Sequence, residues 1–117
     1  MTRHRAESWG RRAESYAALW LWLKGYRILA RRVRTPAGEI DLIARRGRQV
    51  AFVEVKARGN LRAAAEALSG RGAHRIARAA KFLLARYVKA DDSARFDAVL
   101  VRPWRLPVHL KGAWLAD

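Results

Sequence analysis

The sequence contains no cysteine, which excludes disulfides, thiolate zinc sites and cysteine nucleophiles and fits a reducing compartment. Its three histidines, His4, His74 and His109, are far apart, with no pair at helical ligand spacing. A histidine-based zinc site therefore has little support. Long hydrophobic runs are also missing. The longest wholly apolar stretch, residues 17–23, falls well short of the ~20 residues that span a bilayer as a helix. Arg3, Arg5, Arg11 and Arg12 ahead of that stretch imitate a leader peptide, but Glu7 and Glu14 interrupt it and no small-residue cleavage site follows. A cytoplasmic protein without a membrane span is expected.

Acidic residues are scarce: 10 Asp and Glu stand against 25 Lys and Arg, a formal charge of +15. Such an excess on a small chain creates a positive field that attracts polyanions, and nucleic acid is the natural partner. Arginine supplies 20 of the basic residues. GC-rich coding explains that preference over lysine better than it explains the surplus of charge.

Hydrophobic residues make up 51 % of the chain and charged ones 30 %, enough apolar material for a packed core. A chain of 117 residues fits one domain, with residues 1–12 able to serve as a flexible basic N-terminus. Trp9, Ala13, Tyr16, Trp20 and Leu23 recur every three or four residues, predicting an amphipathic helix over 5–24 that ends at Gly25. Strands are predicted over 26–33, 39–45 and 49–57 from their β-branched and aromatic content, with turn residues at 35–38 and 46–48. Residues 58–72 read as a loop with a helical turn around 63–68. A second long helix is expected over 73–89, marked by Ile76, Ala80, Leu83, Leu84 and Tyr87 and stopped by Asp91-Asp92-Ser93. Strands over 95–101 and within 104–114 complete an α/β pattern of one sheet with helices packed across its faces.

The hairpin over 39–57 carries the chemistry. Strict alternation puts Glu39 and Asp41 on one face and Ile40 and Leu42 on the other, and Glu54 and Lys56 likewise share a face. A two-residue turn at Gly47-Arg48 sets Asp41 opposite Glu54 and Glu39 opposite Lys56, whereas a three-residue turn turns the carboxylates apart. Two like charges within roughly 5 Å destabilise a sheet unless something neutralises them. A hard divalent ion does so, since it prefers carboxylate oxygen and water. Lys56 adds a donor for an attacking water or for charge developing on phosphorus. Glu14 falls on the border of the apolar arc of the first helix, where it either reaches inward or pairs outward with a neighbour such as Arg11. The competing reading of the hairpin is an ordinary half-exposed sheet whose acids pair with the abundant Arg and Lys.

The blocks Gly38-Glu39-Ile40-Asp41-Leu42-Ile43-Ala44, Phe52-Val53-Glu54-Val55-Lys56-Ala57-Arg58 and Arg95-Phe96-Asp97 resemble the signatures of the YraN-like bacterial proteins over most of the chain, from about residue 14 to 114. That family resembles Holliday-junction resolvases and other nucleases of the PD-(D/E)xK class. The resemblance implies a restriction-endonuclease-like mixed central sheet flanked by helices. It also implies Asp41, Glu54 and Lys56 as the nuclease signature, Glu14 as a further catalytic acid on the first helix, and Glu39 as an accessory metal carboxylate. Mg²⁺ or Mn²⁺ is the implied cofactor, structured or branched DNA the implied substrate, and a homodimer a possible working form. Asp97 is expected to have a structural role, orienting Arg95 or a neighbouring strand. Two positions depart from the pattern: Arg32 stands in place of an Asn, and Gly72 in place of a Lys that opens the second long helix. Arg34, Arg58, Arg71, His74 and Arg75 are the expected phosphate contacts.

Three functions follow as alternatives. The first is a metal-dependent nuclease. The second is a non-catalytic nucleic-acid-binding module on the same fold. The third is a scaffold that uses Trp104 and Trp114 at an interface, with Trp9 and Trp20 in the core and Trp22 exposed.

Overall fold

The computed structural model describes residues 3–57, 60–68 and 70–114. The chain forms a single α/β domain built on a mixed five-stranded sheet flanked by helices, the restriction-endonuclease-like arrangement that the sequence implies. In chain order the elements are α1 (Arg3–Leu23), β1 (Arg27–Thr35), β2 (Gly38–Arg46), β3 (Gln49–Lys56), α2 (Leu61–Ala67), α3 (Gly70–Lys81), α4 (Leu84–Tyr87), β4 (Ser93–Leu100) and β5 (Val108–Trp114). The strands lie side by side in sequence order. β1, β2 and β3 form an antiparallel meander, and β4 runs parallel to β3 after the helical crossover. β5 then pairs antiparallel with β4. β1 is an edge strand with a bulge between Ile28 and Ala30.

Two cores form, one on each face of the sheet. On one face Ala13, Ala17 and Leu21 of α1 pack on Leu42, Ala44, Ala51, Val53 and Val99. On the other, Ile76, Ala79, Ala80 and Leu83 pack on Ile43, Val50, Phe52 and Phe96. β3 is central and covered on both sides, which explains why Val50, Ala51, Phe52 and Val53 are all buried instead of alternating. No helix among the described residues is long and apolar enough to cross a membrane.

Several expectations need correction. The buried stripe of α1 is Ala13, Ala17 and Leu21, whereas Tyr16 and Leu23 are exposed. Alanine lets the helix axis approach the sheet closely, so the bulky residues are displaced to its flank. There Trp9, Tyr16, Trp20, Trp104, Leu106 and Pro107 line a groove of about 740 Å³. Trp20 is thus half-buried at a groove, not in the core, while Trp22 is exposed as expected. The second long helix is broken. At Phe82 and Leu83 the hydrogen bonds tighten to Ala79 O and Ala80 O, a three-residue step that re-aims the chain so that Leu84 and Tyr87 still meet the α3-side core. Residues 61–67, read as part of a loop, form the complete helix α2.

A buried polar network ties β3, β4 and β5 to the end of α1. Asp97 is fully buried and accepts two hydrogen bonds from Arg95, at 2.7 and 2.8 Å. Arg95 also donates to Gln49 Oε1 and to the Tyr26 hydroxyl. His109 Nε2 lies 2.7 Å from Asp97 Oδ2, and Lys24 Nζ lies 2.5 Å from His109 Nδ1. A ring that donates through Nε2 and accepts through Nδ1 satisfies both contacts. Gly112 N donates to Asp97 Oδ1, and a Cβ at Gly112 would sit 2.1 Å from Phe96 O, so only glycine lets β5 come this close. Burial pushes the Asp97 carboxyl up, but the hydrogen bonds from His109 and Arg95 outweigh it and hold the group below its ordinary value. The role expected for Asp97, orienting Arg95, is the one observed.

Removing one member of a buried pair leaves an uncompensated charge, at a cost of about 3–5 kcal/mol. Asp97→Ala and Arg95→Ala should each lose on the order of that amount in urea unfolding, a large share of the ~5–15 kcal/mol that holds a domain together. A loss under about 1 kcal/mol would contradict a structural role for the pair.

Candidate functional site

Gly47, at φ +62°, begins a two-residue turn whose flanking pair is Arg46 and Gln49. From there the register runs through Arg45 with Val50, Ala44 with Ala51 and Ile43 with Phe52 to Leu42 with Val53. The next rung would be Asp41 with Glu54, and there the ladder stops. The Asp41 carboxylate takes over from a backbone acceptor, as Val55 N–H donates to Asp41 Oδ2 at 2.7 Å. β3 itself continues against β4 as far as Lys56. Asp41 and Glu54 therefore stand where β2 and β3 part.

Alternation also breaks at this point. Ile40 and Ile43 both pack in the α3-side core, while Leu42 packs in the α1-side core. The expectation that Ile40 and Leu42 share a face is wrong for this reason, and with it the simple shared face of Glu39 and Asp41. β1 makes the matching step: Ala30 and Val33 pack on the α3 side, and the pairs Arg31 with Leu42 and Val33 with Ile40 leave Arg32 opposite Asp41. Arg32 has φ +51°, a left-handed conformation that costs a residue with a Cβ roughly 1–2 kcal/mol. Side chains that strict alternation would separate are thereby gathered from both faces toward one spot.

Charge converges there. Burial raises the Asp41 carboxyl to about 6, the Val55 N–H opposes this, and the nearby charges of Glu14, Glu54 and Glu39 add to the rise. The two glutamates nearest in influence are each held by a guanidinium. Glu14 Oε1 accepts from Arg32 Nε at 2.7 Å, and Glu54 Oε1 accepts from Arg75 Nη2 at 2.5 Å. Glu14 thus turns inward, and its partner is Arg32, not Arg11. Lys56 Nζ lies 3.2 Å from Glu54 Oε1, so β3 brings a cation as well as a carboxylate to the spot. Among the described residues, buried Glu54 Oε2 has no hydrogen-bond partner. Glu39 pairs loosely with Arg34 at 3.6 Å on the exposed rim.

Among the described residues no three His, Asp or Glu side chains are grouped tightly enough to ligate one ion. The donor set is nonetheless of the right kind for a hard divalent cation. Asp41, Glu54 and Glu14 are all carboxylates, and the buried Glu54 Oε2 is an oxygen that no other described residue uses. Of the expected phosphate contacts, Arg34 is exposed on β1, and His74 and Arg75 are exposed on α3. Arg71 lies in α3, and Arg58 falls outside the described residues. Sequence reading missed Arg32 as the partner of Glu14. Its place opposite Asp41 is legible once residues 36 and 37 are read as a two-residue turn, but no residue pattern announces its left-handed backbone.

Residues 13–101, which contain Glu14, Asp41, Glu54 and Lys56, match the family model described as "Uncharacterised protein family UPF0102". A UPF0102 protein of Parvibaculum lavamentivorans is 60 % identical over 106 residues, covering 90 % of this chain and 80 % of its own. One of Rhizorhabdus wittichii is 52 % identical over 109 residues, 93 % and 92 % of the two chains, and one of Sphingopyxis alaskensis 48 % over 114 residues, 97 % and 98 %.

The raised Asp41 value has a defined effect on stability. The folded chain holds this proton more tightly than the unfolded one, so the stability that Asp41 itself contributes is fully present below about pH 4 and is lost as pH rises through about 6. A shift of this size corresponds to on the order of 2–3 kcal/mol. Asp41→Asn keeps an acceptor for Val55 N–H without the charge. It should be more stable than the parent at pH 8 by roughly 1–3 kcal/mol, with the gap closing by pH 4 in urea titrations. A gap independent of pH would refute the assignment.

Proposed function

The chain belongs to the UPF0102 family, and from that premise we propose that it is a divalent-metal-dependent nuclease that hydrolyses phosphodiesters in structured or branched DNA. The observation that carries this reading is that Asp41 of β2 and Glu54 and Lys56 of β3 stand where β2 and β3 part, within the electrostatic reach of Glu14 from α1. Asp41 and Glu54 would hold Mg²⁺ or Mn²⁺, with Glu14, and Glu39 at the rim, completing the acidic surround. When bound, such an ion supplies electrophilic assistance at the phosphate and acidifies water beside it. The chain's own residues do the rest. Lys56, tethered at Glu54, donates to a phosphoryl oxygen as negative charge grows on it. Arg34, His74 and Arg75 offer contacts to flanking phosphates, with Arg71 and Arg58 as further members of that basic set. Water attacks phosphorus and gives up a proton to solvent through the acidic surround, while the P–O bond to the leaving oxygen breaks and that oxygen takes up a proton from solvent to leave as the alcohol.

A second reading, a nucleic-acid-binding module without catalysis, is favoured by one observation: Glu14 and Glu54 already have guanidinium partners. Such a module binds without cutting, and its affinity drops steeply with salt because phosphate contacts release counterions.

Junction, flap and single-stranded DNA incubated with Mg²⁺ or Mn²⁺ should be cleaved by the parent chain. The rate should fall by roughly 10²–10³ in Asp41→Ala, Glu54→Ala and Lys56→Ala. Cleavage that survives both carboxylate substitutions rejects this chemistry, and binding with no cleavage under either ion selects the module.

A further inference from the structure

We infer that Arg32 and Arg75 are resident counter-cations of the site, which phosphate withdraws from Glu14 and Glu54 so that nucleic acid and metal ion bind cooperatively. This rests on the metal-dependent reading above. The two ion pairs are built alike. In each, the carboxylate is sheltered, with 13 % of its side chain accessible, while the arginine side chain is more open to solvent, 39 % for Arg32 and 56 % for Arg75. Each pair is made through a single nitrogen, Arg32 Nε or Arg75 Nη2, on a single oxygen, and no described residue bonds Glu54 Oε2. Guanidinium groups prefer a two-point grip on an oxyanion. A phosphate arriving from solvent offers one, and the sheltered carboxylates do not compete well for it.

The backbone supports the same conclusion. Arg32 stands opposite Asp41 in a left-handed conformation, and conformations of that kind persist where surrounding structure imposes them at working sites. Arg75 reaches the spot from the opposite helix, its stem passing Gly38, where a Cβ would lie 4.0 Å from Arg75 Cγ. The two cations thus approach Asp41's neighbours from different elements, β1 and α3, and both face outward. Withdrawing them leaves sheltered negative charges beside Asp41 that a divalent cation neutralises. By linkage, an ion that favours the withdrawn state strengthens phosphate binding by the same factor that phosphate strengthens ion binding.

The test uses the full chain, Arg32→Gly, which accepts φ +51° without strain, Arg75→Gln, and the double variant. Mn²⁺ affinity is read from the electron paramagnetic resonance of free ion, and affinity for a labelled four-way junction from fluorescence anisotropy with and without Mn²⁺. Without DNA, each single variant should bind Mn²⁺ several-fold more tightly than the parent, and the double variant about tenfold or more. In the parent, Mn²⁺ should tighten junction binding by a similar factor, and in the double variant that factor should shrink toward one. Equal Mn²⁺ affinity in all four proteins overturns this inference and leaves the metal site standing. No Mn²⁺ binding by any of them, with or without DNA, overturns both. Should Arg32→Gly fail to fold, Arg75→Gln alone decides by the same two readouts.

Discussion

A turn of two residues between β2 and β3 fixes a single pairing register, and nearly everything else in the domain inherits it. One residue more at that turn would move every β2 side chain to the other face relative to β3, and with them the apolar sets that α1 and α3 cover. With Arg46 and Gln49 closing the turn, Leu42 and Val53 meet under α1, and Ile43 and Phe52 meet under α3. The same register delivers Asp41 and Glu54 to the end of the ladder together. There the backbone pairing gives way and the Asp41 carboxylate accepts the Val55 N–H.

Two kinds of charge pairing coexist in this strongly basic chain. Arg95 and Asp97 are closed in the interior, satisfied by Gln49, Tyr26, His109 and Gly112, with few atoms in contact with water. Such a pair fixes the relative placement of β3, β4 and β5 and has nothing left to offer a ligand. The pairs around Asp41 are built the other way, with the anion sheltered and the cation turned to solvent. Burial closes both partners in the first case and only the anion in the second.

The sequence made much of this legible, for identifiable reasons. Short β-branched runs separated by turn residues marked β1 to β4 to within a few residues, and of the two turn lengths weighed, the two-residue Gly47-Arg48 turn is the one that pairs β2 with β3. What escaped has physical causes too. Periodicity picks out Ala13 but weighs Tyr16 and Leu23 above Ala17 because it counts hydrophobicity, whereas close packing on a sheet selects small residues. The break in alternation at Asp41 depends on how two strands twist together, and that is not encoded in the residues of either strand alone. The Lys24–His109 contact joins positions 85 residues apart, and single-sequence reading has no access to such a pairing.

β1 has one further consequence for behaviour in concentrated solution. An edge strand exposes unpaired amides and carbonyls to any other strand that drifts near, and long flat edges invite runaway stacking of sheets. Here the edge carries Arg27, Arg31, Arg32 and Arg34 and is kinked by the bulge near Leu29. Two such borders brought together would repel one another and could not lie flush. The arginines that crowd this border therefore also keep the domain from polymerising through it.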